Sequence, residues 1–138
     1  MLECLIMGDS IAVGTHVYKP KCETIAEVGI NSWQFNNHFL AERSAETIII
    51  SLGSNDHKFI KTEEELRTLR ALSHGKKVYW ILPAGNNPAS GVSIEKIQGI
   101  VYKVAGEYGD VVIPIKRTQK DGIHPSWEGY KEIIKEIN

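Results

Sequence analysis

Four short, mainly apolar runs, at residues 2–7, 47–52, 78–82 and 111–115, and an alternating one at 23–28, constrain this chain more than any other feature. Each has the length of a strand, and the segments between them carry apolar residues at helical spacing. A strand that is apolar along its whole length has both faces buried. Such strands form parallel sheets, with crossover helices covering the two faces. The alternation therefore predicts an α/β fold: an open, mostly parallel five-stranded sheet between helical layers. Residues 47–52 are the most apolar and predict a central strand. Residues 23–28 alternate and predict an edge strand. Pro114 lacks an N–H, which puts the last strand at the other edge.

The helices have their own signals. One is expected from about Ser10. Asn31 with Gln34 predicts a capping box opening a helix that carries Trp33, Phe35, Phe39 and Leu40 to about Glu42. Thr62 with Glu65 predicts a second box, with Leu66, Leu69 and Leu72 on one face and Gly75 ending the helix. Ser93 caps a segment carrying Ile94, Ile97, Val101 and Val104. A last helix is expected from about Pro125, with Tyr130, Ile133, Ile134 and Ile137 inward. Residues 83–91 form the longest irregular stretch. Nothing repeats and no linker divides the chain, so 1–138 reads as a single domain.

Charge and composition narrow the function classes. A formal net charge of -1 gives no electrostatic case for nucleic acid or an anionic membrane surface. The Lys76-Lys77 pair reads as a solvated strand entry. No stretch has the roughly 18 apolar residues of a membrane helix. Met1 runs straight into the first apolar run and then into Gly8, without the regions of a secretory signal, which predicts a cytoplasmic protein. Cys4 and Cys22 are expected to be reduced, buried thiols, with a disulfide or a redox pair as the alternative. Neither has metal-ligand spacing to a histidine, so no metal is expected.

Three segments then place chemically active side chains just beyond strands. They are Gly8-Asp9-Ser10, Gly53-Ser54-Asn55-Asp56 and Asp121-Gly122-Ile123-His124-Pro125. In a parallel sheet the working site lies at the carboxyl ends of the strands, so segments distant in sequence converge on one rim. Ser10 offers a hydroxyl at a strand-to-helix turn, with its own N–H and the positive helix end facing any oxyanion formed there. The Asn55 amide can donate to a reacting oxygen. His124 can take a proton, and Asp121, three residues earlier, can orient the ring. Gly29 could add a backbone N–H. Asp56 reads as ordering its turn; Asp9 and His57 are candidates to line a substrate. His16, His38 and His74 have no strand-end context. Each segment alone is also compatible with a plain turn: Ser10 as a helix cap, Asn55 bonding its own backbone, Asp121-Gly122 as a solvated turn.

Taken together, these residues resemble the SGNH, or GDSL, hydrolase superfamily. The first block of that family appears as Gly8-Asp9-Ser10-Ile11-Ala12-Val13-Gly14 and its glycine block around Val28-Gly29. Its Gly-x-Asn-Asp block is Gly53-Ser54-Asn55-Asp56. Its Asp-x-x-His-Pro block is Asp121-Gly122-Ile123-His124-Pro125, followed by Gly129-Tyr130. The resemblance implies a three-layer, flavodoxin-like sheet of order 2-1-3-4-5. It implies Ser10 as nucleophile, His124 as base and Asp121 as its partner, with Ser10 N–H, Gly29 N–H and the Asn55 side chain in the oxyanion hole. It implies cleavage of carboxylic esters without metal or cofactor. Two departures stand out. Glu27 occupies a place where the family often has asparagine, and the chain is short. Lean loops imply an open, shallow site, which favours a short acyl group such as acetyl on a carrier such as a carbohydrate.

Two other readings compete. The fold could serve as a catalytically silent glycan- or cell-wall-binding module, with Trp33, Trp80 or Trp127 as stacking platforms. It could also bind a nucleotide or flavin, but the chain has neither a Gly-x-Gly-x-x-Gly nor a Gly-x-x-x-x-Gly-Lys segment.

Overall fold

In the computed structural model, which describes residues 1–137, strands and α-helices alternate, with one short 3-10 helix, Pro88–Ser90, in the connection between the fourth strand and the fourth α-helix. The order is β1 (Leu2–Gly8), α1 (Ser10–Tyr18), β2 (Glu23–Ala26), α2 (Ser32–Phe39), β3 (Arg43–Ser51), α3 (Thr62–Ala71), β4 (Ser73–Ile81), α4 (Ile94–Tyr108), β5 (Val111–Ile113) and α5 (Trp127–Glu136). The strands form one parallel sheet in the order β2-β1-β3-β4-β5. The expected architecture and strand order are those observed.

Successive side chains on a strand point to opposite faces, and that alternation builds two cores. Leu5 and Met7 of β1, with Ile48 and Ile50 of β3, pack beneath Phe35, Leu66, Leu69, Val101 and Val104 of α2, α3 and α4. Cys4, Ile6 and Ile49 face the other way, against Ile11 and Ala12 of α1 and Tyr130 and Ile133 of α5. Every crossover helix begins at the carboxyl rim of the sheet.

Several local expectations are corrected. Thr62 and Glu65 do not form a capping box, because tertiary partners take both side chains. Thr62 Oγ1 donates to Asp56 Oδ2 at 2.7 Å, and Glu65 Oε1 accepts from Asn36 Nδ2 at 2.8 Å. The cap of α3 is Lys61, without a side-chain bond. Gly75 does not end that helix. Leu72 does, and Gly75 lies inside β4 opposite Ala45. The polar starts of β3 and β4 belong to the sheet because Arg43 pairs with Ser73 from the first residue, a register that hydrophobicity does not mark. β2 stops at Ala26, α2 at Phe39 and β5 at Ile113, just before Pro114. The last helix is capped by Ser126, whose Oγ accepts from Gly129 N at 3.1 Å, so Pro125 lies outside it.

The cysteines are the largest correction. Cys4 and Cys22 are joined in a disulfide, with Cα atoms 4.8 Å apart. The register explains it: Leu5 lies opposite Glu23, so the residue before each is brought side by side.

Candidate active site

β1 ends at Gly8, whose φ is +143° and whose α-carbon sits against Ser51; a β-carbon there would lie 1.8 Å from Ser51 O. Only glycine fits, and the chain turns at once. Asp9 follows as the cap of α1. Its Oδ1 accepts from Ile11 N at 3.0 Å and from Ser51 Oγ at 3.1 Å, and its N–H donates to Ser51 O at 3.0 Å. Asp9 does not line a substrate surface, as the sequence reading suggested, because the turn folds over it and leaves it 0% exposed. Burial pushes its carboxyl up to about 7 against the pull of these hydrogen bonds. Asp9 Oδ2 is buried without a hydrogen-bond partner among the described residues.

With the cap filled by Asp9, Ser10 becomes the first residue of the helix rather than its cap. At that position its N–H has no intrahelical acceptor and points outward from the positive end of α1. Its side chain is half-buried, and Oγ lies 2.9 Å from His124 Nε2.

His124 comes from the loop between β5 and α5. Its Nδ1 is 2.6 Å from Asp121 Oδ2. Asp121 Oδ1 accepts from Ile123 N at 2.8 Å and from His124 N at 3.0 Å, so one carboxylate fixes both the loop and the ring. The Ile123 N–H first, then the His124 side chain, hold the Asp121 carboxyl down to about 2. With Nδ1–H donating to that carboxylate, Nε2 is left as an acceptor for the Ser10 hydroxyl.

Two further groups stand on the same rim. Gly29, after β2, has φ +80° and open space where a side chain would be. Its N–H has no acceptor among the described residues. Glu27 N donates to Gly8 O at 3.0 Å and ties this loop to the end of β1. Asn55 Nδ2 donates to Ile30 O at 3.0 Å, which fixes the amide and leaves its second N–H unengaged among the described residues.

Asp56 orders more than its own turn. Its buried carboxylate accepts from Ser32 N at 2.9 Å, Ser32 Oγ at 2.5 Å and Thr62 Oγ1 at 2.7 Å, tying the starts of α2 and α3 together. Sequence spacing could not reveal that span. His57 stands apart from the Ser10–His124–Asp121 chain and accepts from Phe59 N at 3.2 Å. His16 meets Cys22 O, His74 meets Glu42, and His38 lies edge-on to Phe39. Trp80 is core, while Trp33 and Trp127 are exposed. Among the described residues there is no group of three or more His, Cys, Asp or Glu that could hold a metal ion, and no helix long and apolar enough to cross a membrane.

No family model matches the sequence, and no curated protein matches it. Solved structures do. A GDSL-like lipase from Bacteroides thetaiotaomicron superposes with a TM-score of 0.71 at 20% identity, covering 98% of this chain and 84% of that one. A member of the lipolytic G-D-S-L family from Veillonella parvula gives 0.63 at 13%, covering 95% and 93%. The C-terminal catalytic domain of peptidoglycan O-acetyltransferase A from Streptococcus pneumoniae gives 0.66 at 14%, covering 99% and 92%. The chain therefore has the SGNH/GDSL hydrolase fold.

Proposed function

We propose that this protein is a serine ester hydrolase, with Ser10 as nucleophile, His124 as general base and Asp121 as the group that orients the ring. The observation that carries this reading is the unbroken line of contacts from Ser10 Oγ to His124 Nε2 at 2.9 Å and from His124 Nδ1 to Asp121 Oδ2 at 2.6 Å.

Ser10 Oγ attacks the ester carbonyl carbon as its proton passes to His124 Nε2. The negative charge moves to the carbonyl oxygen. Ser10 N–H, Gly29 N–H and the free N–H of Asn55 supply donors for it, already oriented before the charge develops. The tetrahedral adduct collapses, the C–O bond to the alcohol breaks, and the alcohol leaves with the proton from His124. Water then gives its proton to the same nitrogen and attacks the acyl-enzyme. That second adduct releases a carboxylic acid and restores the Ser10 hydroxyl. Asp121 keeps its negative charge throughout and steadies the imidazolium formed in each half.

A short acyl group, acetyl above all, fits the surroundings. The His124 side chain is 37% exposed, so the site is open. A carbohydrate or other small-molecule ester would present such a group from solvent.

Acyl esters from acetyl to decanoyl, assayed with the wild type and Ser10→Ala, test the proposal. The expected result is a fall in kcat/KM with chain length and loss of turnover and fluorophosphonate labelling in the folded variant. Undiminished cleavage by Ser10→Ala would remove Ser10 from the mechanism.

A further inference from the structure

Two large aromatic side chains stand in solvent at the rim that carries Ser10, although neither packing nor the proposed chemistry requires them. Trp33 is 51% exposed and Phe59 is 79% exposed. Trp33 is the second residue of α2, just past the loop that carries Gly29. Phe59 lies four residues after Asn55, on the way into α3. Helices that follow parallel strands begin at the carboxyl rim, so both residues stand on the active side of the sheet. The buried Asp56 carboxylate, bonded to Ser32 and Thr62, fixes the two helix starts relative to one another.

Trp33 and Phe59 line one cleft of about 290 Å³, with Ile60, Lys61 and Glu65. That is the small end of the range for ligand sites, roughly 300–1,000 Å³. His57 lies edge-on to the Phe59 ring at 6.0 Å and the Lys58 ammonium sits 5.2 Å from its centre. Resting on the hydrolase reading above, we infer that this cleft is a subsite for the saccharide part of an O-acylated sugar.

Two features favour a sugar. Aromatic faces suit the C–H faces of a ring that carries hydroxyls at its edge. Lys61 supplies N–H donors, and Glu65, with Oε1 already accepting from Asn36, has Oε2 left to accept. An acyl chain there would desolvate both charges without replacing their hydrogen bonds. Gly29 and Asn55, the proposed oxyanion donors, lie on the same two segments, each four residues before Trp33 and Phe59 respectively.

The test compares O-acetylated xylotetraose and O-acetylated chitotetraose with ethyl acetate as substrates of the full chain. Trp33→Ala and Phe59→Ala should each lower the ratio of kcat/KM for the better sugar ester to that for ethyl acetate by about tenfold, mainly through KM. Trp33→Phe, which keeps a ring, should recover most of the loss. Circular dichroism verifies the fold of each variant. An unchanged ratio overturns the inference. A fall in the decanoate-to-ethyl-acetate ratio instead, with the sugar ratio unchanged, makes the cleft an acyl site and also overturns it. If the wild type cleaves no ester and takes no fluorophosphonate, the hydrolase reading fails separately. The cleft is then judged by binding of unacetylated xylotetraose and chitotetraose to the Ser10→Ala protein, read at the Trp33 indole resonance. Binding that Phe59→Ala abolishes supports the subsite, and absence of binding ends it.

Discussion

Asp9 and Asp121 are carboxylates that the same rim treats in opposite ways. Asp121 is exposed on one side, receives backbone N–H groups and stays ionised down to about pH 2. Any loss of the proposed activity on acidification above that pH would therefore come from other groups. Asp9 is sealed beneath Ser10 with one oxygen unpartnered, and its carboxyl keeps its proton to about pH 7. In the unfolded chain an aspartate releases that proton near pH 4. Between those two values the unfolded state binds fewer protons than the folded one, so stability falls as pH rises from about 4 to about 7 and then levels off. The total is on the order of a few kcal/mol. Asp9→Asn, which retains an acceptor for Ile11 N and Ser51 Oγ, should flatten that decline in urea unfolding at pH 5 and pH 8. An equal decline in the variant would assign it to another group. That Ser10, His124 and Asp121 would meet was legible because the segments that follow the strands of a parallel sheet reach one rim. The burial of Asp9 was not, because it depends on Ser51, on a neighbouring strand 42 residues away.

At the scale of elements, the sheet was legible and its edges were not. Apolar runs mark the middle of each strand, where both faces are covered. They miss the polar starts of β3 and β4, which backbone pairing alone enrols. The disulfide was hidden for the same reason: Cys4 and Cys22 are neighbours only through the β1–β2 register. The bond ties the short edge strand β2, and with it the Gly29 loop, to the strand that delivers Ser10. Closing a loop of 18 residues should stabilise the fold by about 3 kcal/mol, chiefly by restricting the unfolded chain. Urea unfolding of oxidised and fully reduced wild-type protein should differ by that amount, with no residue replaced and no cavity made. Such bonds persist in oxidising compartments and are rare in the cytosol. Protein purified without reductant and denatured in a thiol reagent should therefore release no thiol; two thiols per chain would mean the cysteines are reduced as the protein is made.

Across the whole molecule, the proposed reaction joins a strand paired on both sides to a short edge strand and the loop beyond it. Ser10 follows β1, which is paired on both sides, by β2 and by β3. His124 and Asp121 hang from β5, an edge strand with three paired residues, Val111 to Ile113. The loop beyond it is held by a few backbone bonds, among them Gln119 N to His124 O at 2.8 Å and Ser126 N to Arg117 O at 3.0 Å. Regions with few buried apolar contacts and short ladders open at lower free energy than a sheet centre. The 2.9 Å contact between Ser10 and His124 spans 114 residues of chain and survives only while that loop is docked. Ester hydrolysis should consequently vanish at a lower urea concentration than the far-ultraviolet dichroism of the sheet and helices. Hydrogen exchange should show the same order, with amides of residues 117–126 exchanging before those of β1 and β3. Coincident midpoints for activity and dichroism would mean that β5 and its loop unfold only with the whole domain, leaving the proposed base as firmly held as the nucleophile.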